Sequence, residues 1–142
     1  MTRAELLDYL ADTFTRITKE LNLPEADTDT SYKYPLDQAF RKLGVAESSL
    51  ATAEVTGSQV EQAQALGEYY SLLRFWTMVS TRVDKAAEGI PLKRSQLFTQ
   101  IGDLLQRAEK RCATLGVSVT STPELQKAYL LLDYIEPVVD NG

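Results

Sequence analysis

The residues able to do chemistry are few and scattered. The chain has no histidine and a single cysteine, Cys112. Without histidine the commonest general base, the usual nucleophile–base pairs and the His-containing zinc and di-iron motifs are excluded. Cys112 falls on the apolar stripe of a helical pattern, which predicts an inert buried thiol rather than a nucleophile. Asp27 and Asp29 sit in the turn-rich stretch PEADTDTSYKYP, residues 24–35. The glycine and distal glutamate of a calcium loop are missing, so a solvated loop is expected there. No phosphate-binding glycine motif and no C-x-x-C occur, and no carboxylate pair stands out as an acid–base couple. We therefore expect no enzyme, no cofactor and no metal.

Two basic groups are left. Lys93 and Arg94 precede Ser95, and Arg107, Lys110 and Arg111 follow on the same helical pattern. Lys93 and Arg94 suit either contact with phosphate or an acidic partner, or a solvated helix start. The second group reads as a solvated face, its last members placed where cations favour a helix C-terminus. The formal charge of the whole chain is -5, which argues against general nucleic-acid binding. One cysteine permits no intrachain disulfide and fits synthesis in a reducing compartment. No apolar run approaches the roughly 18 residues of a membrane span, and MTRAELLDYL lacks the zones of a signal peptide.

What must position these residues is a set of helices. At 142 residues, with 44% hydrophobic and 25% charged residues, the chain reads as one globular unit able to bury a core. Thr2 and Glu5 make a capping box, and Leu7, Leu10, Phe14, Ile17 and Leu21 recur at helical spacing until Pro24. LDQAFRKLG, residues 36–44, predicts a short helix stopped by Gly44. VAESSLATAEVTG has no clear period and suits a short strand or a turn. Ser58 and Glu61 repeat the capping box and open a long helix to Val83, closed by Gly89 and Pro91. A last long helix is expected from Lys93 to Leu115, with Leu97, Ile101, Leu104, Leu105, Ala108, Cys112 and Leu115 as its stripe and Gly116 as its stop.

The long helix contains EYYSLLRFWTMVSTRVD, residues 68–84, with the only tryptophan. At about 100° per residue, Tyr69, Leu72, Leu73, Phe75, Trp76 and Val79 share roughly half its circumference. So wide an arc predicts a central helix packed on two neighbours, the first and last helices. Trp76, Phe75 and Tyr69 are then core rather than a ligand cage. The other side carries Gly67, Ser71, Arg74 and Thr77, with Tyr70 and Met78 as apolar exceptions. Those two cover a second small cluster or meet another protein.

Beyond Gly116 the composition turns β-branched and aromatic. YLLLDYI, residues 129–135, is too short for a lone helix and reads as an extended segment. Tyr129, Leu131, Tyr134 and Ile135 are its candidate contacts, with Tyr70, Met78, Lys93 and Arg94 the candidates within the bundle. The segment either folds back on its own bundle or adds as a strand to another chain. The expected fold is all-α. It comprises a helical bundle over 1–116 with a long central helix, then an extended C-terminal arm over 117–142.

Three stretches occur in the order seen in one family. TSYKYPLDQAFRKLGV, ALGEYYSLLRFWTMVSTRVD and LKRSQLFTQIGDLLQRAEKR, spanning residues 30–111, resemble the head–tail connector (adaptor) proteins of long-tailed bacteriophages. The resemblance rests on packing and turn residues and carries no catalytic signature. It implies a structural virion protein of the phage neck, made in the bacterial host cytoplasm. Such proteins form a twelve-fold, dodecameric ring beneath the portal and extend the DNA channel without reading sequence. They also dock the next neck or tail protein. The resemblance implies an arm reaching the portal or a neighbouring subunit, and no membrane contact. Another neck or tail-completion protein is the alternative within that class. A monomeric helical regulatory module with a groove beside Tyr70 and Met78 is the alternative outside it.

Overall fold

The computed structural model describes residues 1–20, 32–85 and 92–119, with the side chains of 81–85 and 92–95 excepted. Among the described residues five α-helices follow one another: α1 (Arg3–Thr13), α2 (Thr15–Glu20), α3 (Lys33–Lys42), α4 (Gln59–Lys85) and α5 (Leu92–Thr114). A 3₁₀ turn, Glu47–Thr52, lies between α3 and α4. The described residues contain no named strand and form an all-α bundle, as the periodicities predict.

The helix ends follow their local chemistry. At α1 the Glu5 N–H donates to Thr2 Oγ1 at 3.2 Å, and the Thr2 N–H donates to Glu5 Oε1 at 3.3 Å. This is the reciprocal capping box. Gly44 and Gly116 adopt φ of 90° and 81°, a region that costs glycine little. Beyond each, the N–H of Val45 reaches the Phe40 carbonyl and that of Val117 reaches the Cys112 carbonyl. Together with Gly44 to Arg41 and Gly116 to Ala113, these bonds make two Schellman stops.

The first helical pattern is broken where the sequence suggests continuity. Phe14 ends α1 at φ -108°, ψ 16°. The flanking threonines bond backward, Thr13 Oγ1 to the Tyr9 carbonyl at 2.7 Å and Thr15 Oγ1 to the Ala11 carbonyl at 2.8 Å. Such back-bonding competes with the helical ladder. Leu6, absent from the expected stripe, is fully buried with Leu10, while Leu7 is only half-buried. α3 starts three residues before Leu36 and takes Pro35 into its first turn, where the missing N–H is not needed.

α4 packs on three neighbours instead of two: α5, α3 and α1. The third is α3, whose Leu36, Ala39 and Phe40 are buried on it. Part of the supposed polar side of α4 is also covered, since Gly67 and Ser71 are buried, while Thr77 stays exposed. A Cβ at Gly67 would lie 3.1 Å from Leu10 Cδ1, so the missing side chain lets α1 approach. Phe14 and Tyr32 meet Phe75 edge to face at centroid distances of 5.5 and 6.1 Å, and Trp76 stacks on Phe98 at 5.1 Å. Phe14, Tyr32, Phe75 and Trp76 belong to one continuous core, and Phe98 packs against it.

Residues 1–3 run antiparallel to residues 53–55. The Arg3 N–H donates to the Ala53 carbonyl and the Val55 N–H to the Met1 carbonyl, at 3.1 and 2.9 Å. The period-less segment thus supplies both a 3₁₀ turn and a single extended bridge. Arg3 pins this corner through Asp37 Oδ1 at 2.7 Å, tying α1 to α3. After Gly116 the chain stays on the bundle for three more residues: Val117 packs against the core and Val119 is buried.

Candidate functional site

The one cysteine is held in an unreactive setting. Cys112 is fully buried on α5, and burial pushes its thiol up to about 11, so it is protonated at neutral pH. No thiolate nucleophile is present there. Among the described residues no three His, Cys, Asp or Glu side chains gather to hold a metal ion. No described helix is long and apolar enough to cross a membrane.

Of the two leftover apolar residues on α4, Tyr70 is only 5% exposed. Its ring packs edge to face on Tyr69 at 5.1 Å and on Tyr34 at 6.2 Å. Burial raises its hydroxyl to about 12, with the neighbouring Tyr34 and Cys112 adding to the effect. Tyr70 therefore covers a second aromatic cluster at the junction of α3, α4 and α5, the first of the two roles its position allows. α3, the neighbour that sequence spacing did not assign to α4, provides this cover. Met78 is half-buried and packs against the core.

The outermost ring of the cluster is Tyr34, 45% exposed. Leu104 on α5 is 37% exposed, so it departs from the expected stripe and faces outward beside buried Leu105 and Ala108. Trp76, Phe75 and Tyr69 are core, as their angular sorting predicts.

One polar junction escaped the sequence reading. Tyr9 Oη donates to Glu68 Oε1 at 2.7 Å, and Arg111 Nη1 pairs with Glu68 Oε2. The three residues come from α1, α4 and α5. Burial, then the Glu68 carboxylate, raises the Tyr9 hydroxyl above its ordinary value. Against the cost of its own partial burial, Arg111 is held as the cation by Tyr9 and Glu68. Arg111 had read as part of a solvated basic face; Arg107 and Lys110, exposed beside it, fit that description. No local signal links Tyr9 to Glu68, which lie in different helices. The junction fastens three helices at one level and holds no reacting centre.

Lys93 and Arg94 lie in the first turn of α5, and their side chains fall outside the described residues. Tyr129, Leu131, Tyr134 and Ile135 also fall outside them, as do Asp27 and Asp29. Comparison of the chain with protein-family models, with curated proteins and with solved structures gave no match.

Proposed function

We propose that this chain is a non-enzymatic structural protein of the bacteriophage neck, a connector subunit that forms a ring below the portal. The observation that carries the reading is the sequence resemblance over residues 30–111. It is supported by the way those stretches sit in the bundle. The first contains α3, the second lies within α4 and the third within α5, and α4 packs against both of the others. The resembling residues are therefore the scaffold of one body. Two large buried surfaces on α4 make that body stiff, which suits a subunit that must keep its shape under load.

In this reading the subunits assemble as a ring, twelve-fold by the family's pattern, and DNA passes through the channel without sequence-specific contact. A net charge of -5 suits a conduit that does not grip the polyanion. The arm over residues 117–142, of which the first three stay on the bundle, supplies contacts to the portal or to a neighbouring subunit, through Tyr129, Leu131, Tyr134 and Ile135. The protein acts in the virion neck, beside the next neck or tail component.

Electron microscopy of the protein mixed with purified portal tests this. Rings seated on the portal are expected with the full chain, and loss of those rings with a chain ending at Val119. The pair Tyr129→Ala and Ile135→Ala should weaken assembly while helical circular dichroism is unchanged. A full-length protein that ignores the portal and every other virion component would overturn the reading.

A further inference from the structure

We propose that residues 54–56 form a strand-acceptor edge, and that its occupant is the segment YLLLDYI, residues 129–135, of a second copy of this chain. The proposal rests on the arm reading above and names the surface that receives the arm.

The edge follows from the bridge geometry. In the pairing of residues 1–3 with 53–55, the two bonds flank Thr2 and Glu54, which are the opposed, non-bonded pair. In an antiparallel ladder the N–H and C=O of such a residue point away from its partner strand. On the Thr2 side these groups are occupied: its N–H donates to Glu5 Oε1 and its carbonyl accepts from Leu6. On the Glu54 side, neither the N–H nor the C=O has a partner among the described residues. In backbone that stays extended past Glu54, the N–H of Thr56 turns the same way. Residues 51, 52, 54, 56 and 57 are all exposed, so nothing described covers this edge. It offers an incoming strand two donors and one acceptor.

The chain's own path brings the arm to this place. Gln62, in the first turns of α4, donates from Nε2 to the Leu115 carbonyl at 3.0 Å. The end of α5 is thus fastened beside the start of α4, a few residues from the edge. Val119 is buried, and the chain continues to residue 142. About ten residues separate Val119 from Tyr129, enough to extend at most about 35 Å. This reaches across one subunit to the next.

A second copy is preferred to the arm's own chain because the segment is mainly apolar on both faces. In extended form Tyr129, Leu131 and Ile135 share one face with Asp133 as its single charge, and Leu130, Leu132 and Tyr134 make the other wholly apolar. A strand added to an exposed one-bridge edge is covered on one face only. Between two bodies, both faces are covered.

Glu54→Pro isolates the contact. The Glu54 N–H takes no part in the internal bridge, and Ala53 already has φ -61°, ψ 140°, which proline tolerates in the preceding residue. Proline removes the outward donor and blocks strand addition at an edge it can occupy. Sedimentation of the full-length protein over a concentration series should show self-association. Glu54→Pro should weaken it by about tenfold or more, as expected for losing one hydrogen bond and the close approach. Helicity should be unchanged. Hydrogen exchange should show residues 54–56 and 129–135 protected together, increasingly with concentration. If Glu54→Pro loses helicity, the decision passes to Leu131→Asp with Ile135→Asp, which must abolish protection at residues 54–56.

Undiminished association in a folded Glu54→Pro protein overturns the proposal. So does protection of 129–135 that is independent of concentration, which would put the arm on its own chain, and so does a monomer with neither segment protected. Portal binding separates this from the neck reading. Glu54→Pro rings that still form on the portal remove the acceptor edge and leave the neck reading standing. Edge-dependent association without any portal binding does the reverse.

Discussion

On the side of α4 that faces α1 and α3, Phe14 and Tyr32 close on Phe75 edge to face, and Leu10 lies over a glycine. On the side that faces α5, the contact is built from Leu97, Ile101, Leu105, Ala108 and Cys112, with the Trp76–Phe98 stack near one end and the Glu68–Arg111 pair near the other. The first side gains its stability from rings and close backbone approach. The second is an aliphatic seam with a polar fastening. The difference shows how one helix of ordinary amphipathic sequence serves three neighbours: bulk fills one interface, and small residues thin another.

The largest effect expected from breaking this contrast is at Phe75, which is fully buried between two rings. Phe75→Ala should cost about 3–5 kcal/mol, the range for deleting a buried aromatic. Urea unfolding followed by Trp76 fluorescence measures it. A loss below about 1 kcal/mol would mean that α1 and α3 do not depend on this ring.

Alkaline titration distinguishes the two sides next. Burial raises Cys112 to about 11, and Tyr32 and Tyr70 to about 12. The folded state therefore binds these protons more tightly than the unfolded chain. Stability should be flat between about pH 7 and pH 8, where all three groups are protonated in both states. It should then fall as the unfolded thiol ionises, and more steeply above pH 10 as the unfolded tyrosines follow. Each group contributes a loss of up to about 3 kcal/mol, complete once the pH passes its folded value. Cys112→Ala should move the onset from about pH 8 to about pH 9, read from urea midpoints at each pH. An unchanged onset would show that the α5 seam does not give way first.

Two glycines sharpen the comparison with effects of opposite sign. Alanine gains about 1 kcal/mol of helix propensity over glycine. At Gly67 the added Cβ would lie 3.1 and 3.2 Å from the two methyls of fully buried Leu10. Overpacking at such a site costs about 1–3 kcal/mol, so Gly67→Ala should be net destabilising by about 1 kcal/mol. At Gly102 the Cβ would meet Trp76 Nε1 at 3.4 Å, an ordinary contact. Gly102→Ala should therefore stabilise by up to about 1 kcal/mol. Thermal unfolding of the two variants should bracket the parent protein.

These glycines also mark the boundary of what sequence reasoning reaches. The long helices and both glycine stops were legible because period and left-handed backbone leave a local trace. The burial of Gly67 and Ser71 was not, because a sorting by polarity counts small residues as solvent-facing when their size is what admits a neighbour. Tyr70 was left open for the same reason: its cover comes from Tyr34 on a helix whose contact with α4 no spacing announces. The bridge of Thr2 with Glu54 joins residues with no alternating pattern around them. The break at Phe14 was hidden inside a continuous apolar stripe, with only the threonines beside it as a signal.

The polar fastening on the α5 side should contribute least. Glu68 accepts from both Tyr9 and Arg111, but the Arg111 side chain is 41% exposed and that of Glu68 16%. Water and salt screen the ion pair, which limits it to about 0–1 kcal/mol. The Tyr9 bond is better sheltered and, as a bond to a charged acceptor, contributes about 1.5 kcal/mol or slightly more. Tyr9→Phe should thus destabilise more than Arg111→Met, the reverse of what a ranking by formal charge gives. Raising the salt from 0.05 to 0.5 M should erase the Arg111→Met effect and leave most of the Tyr9→Phe effect. A double-mutant cycle on Tyr9 and Arg111 then reads their coupling through the shared carboxylate. If both variants respond equally to salt, the junction is a surface ion pair with a tyrosine beside it. If only the arginine responds, α1 is held to α4 by a hydrogen bond that α5 merely screens.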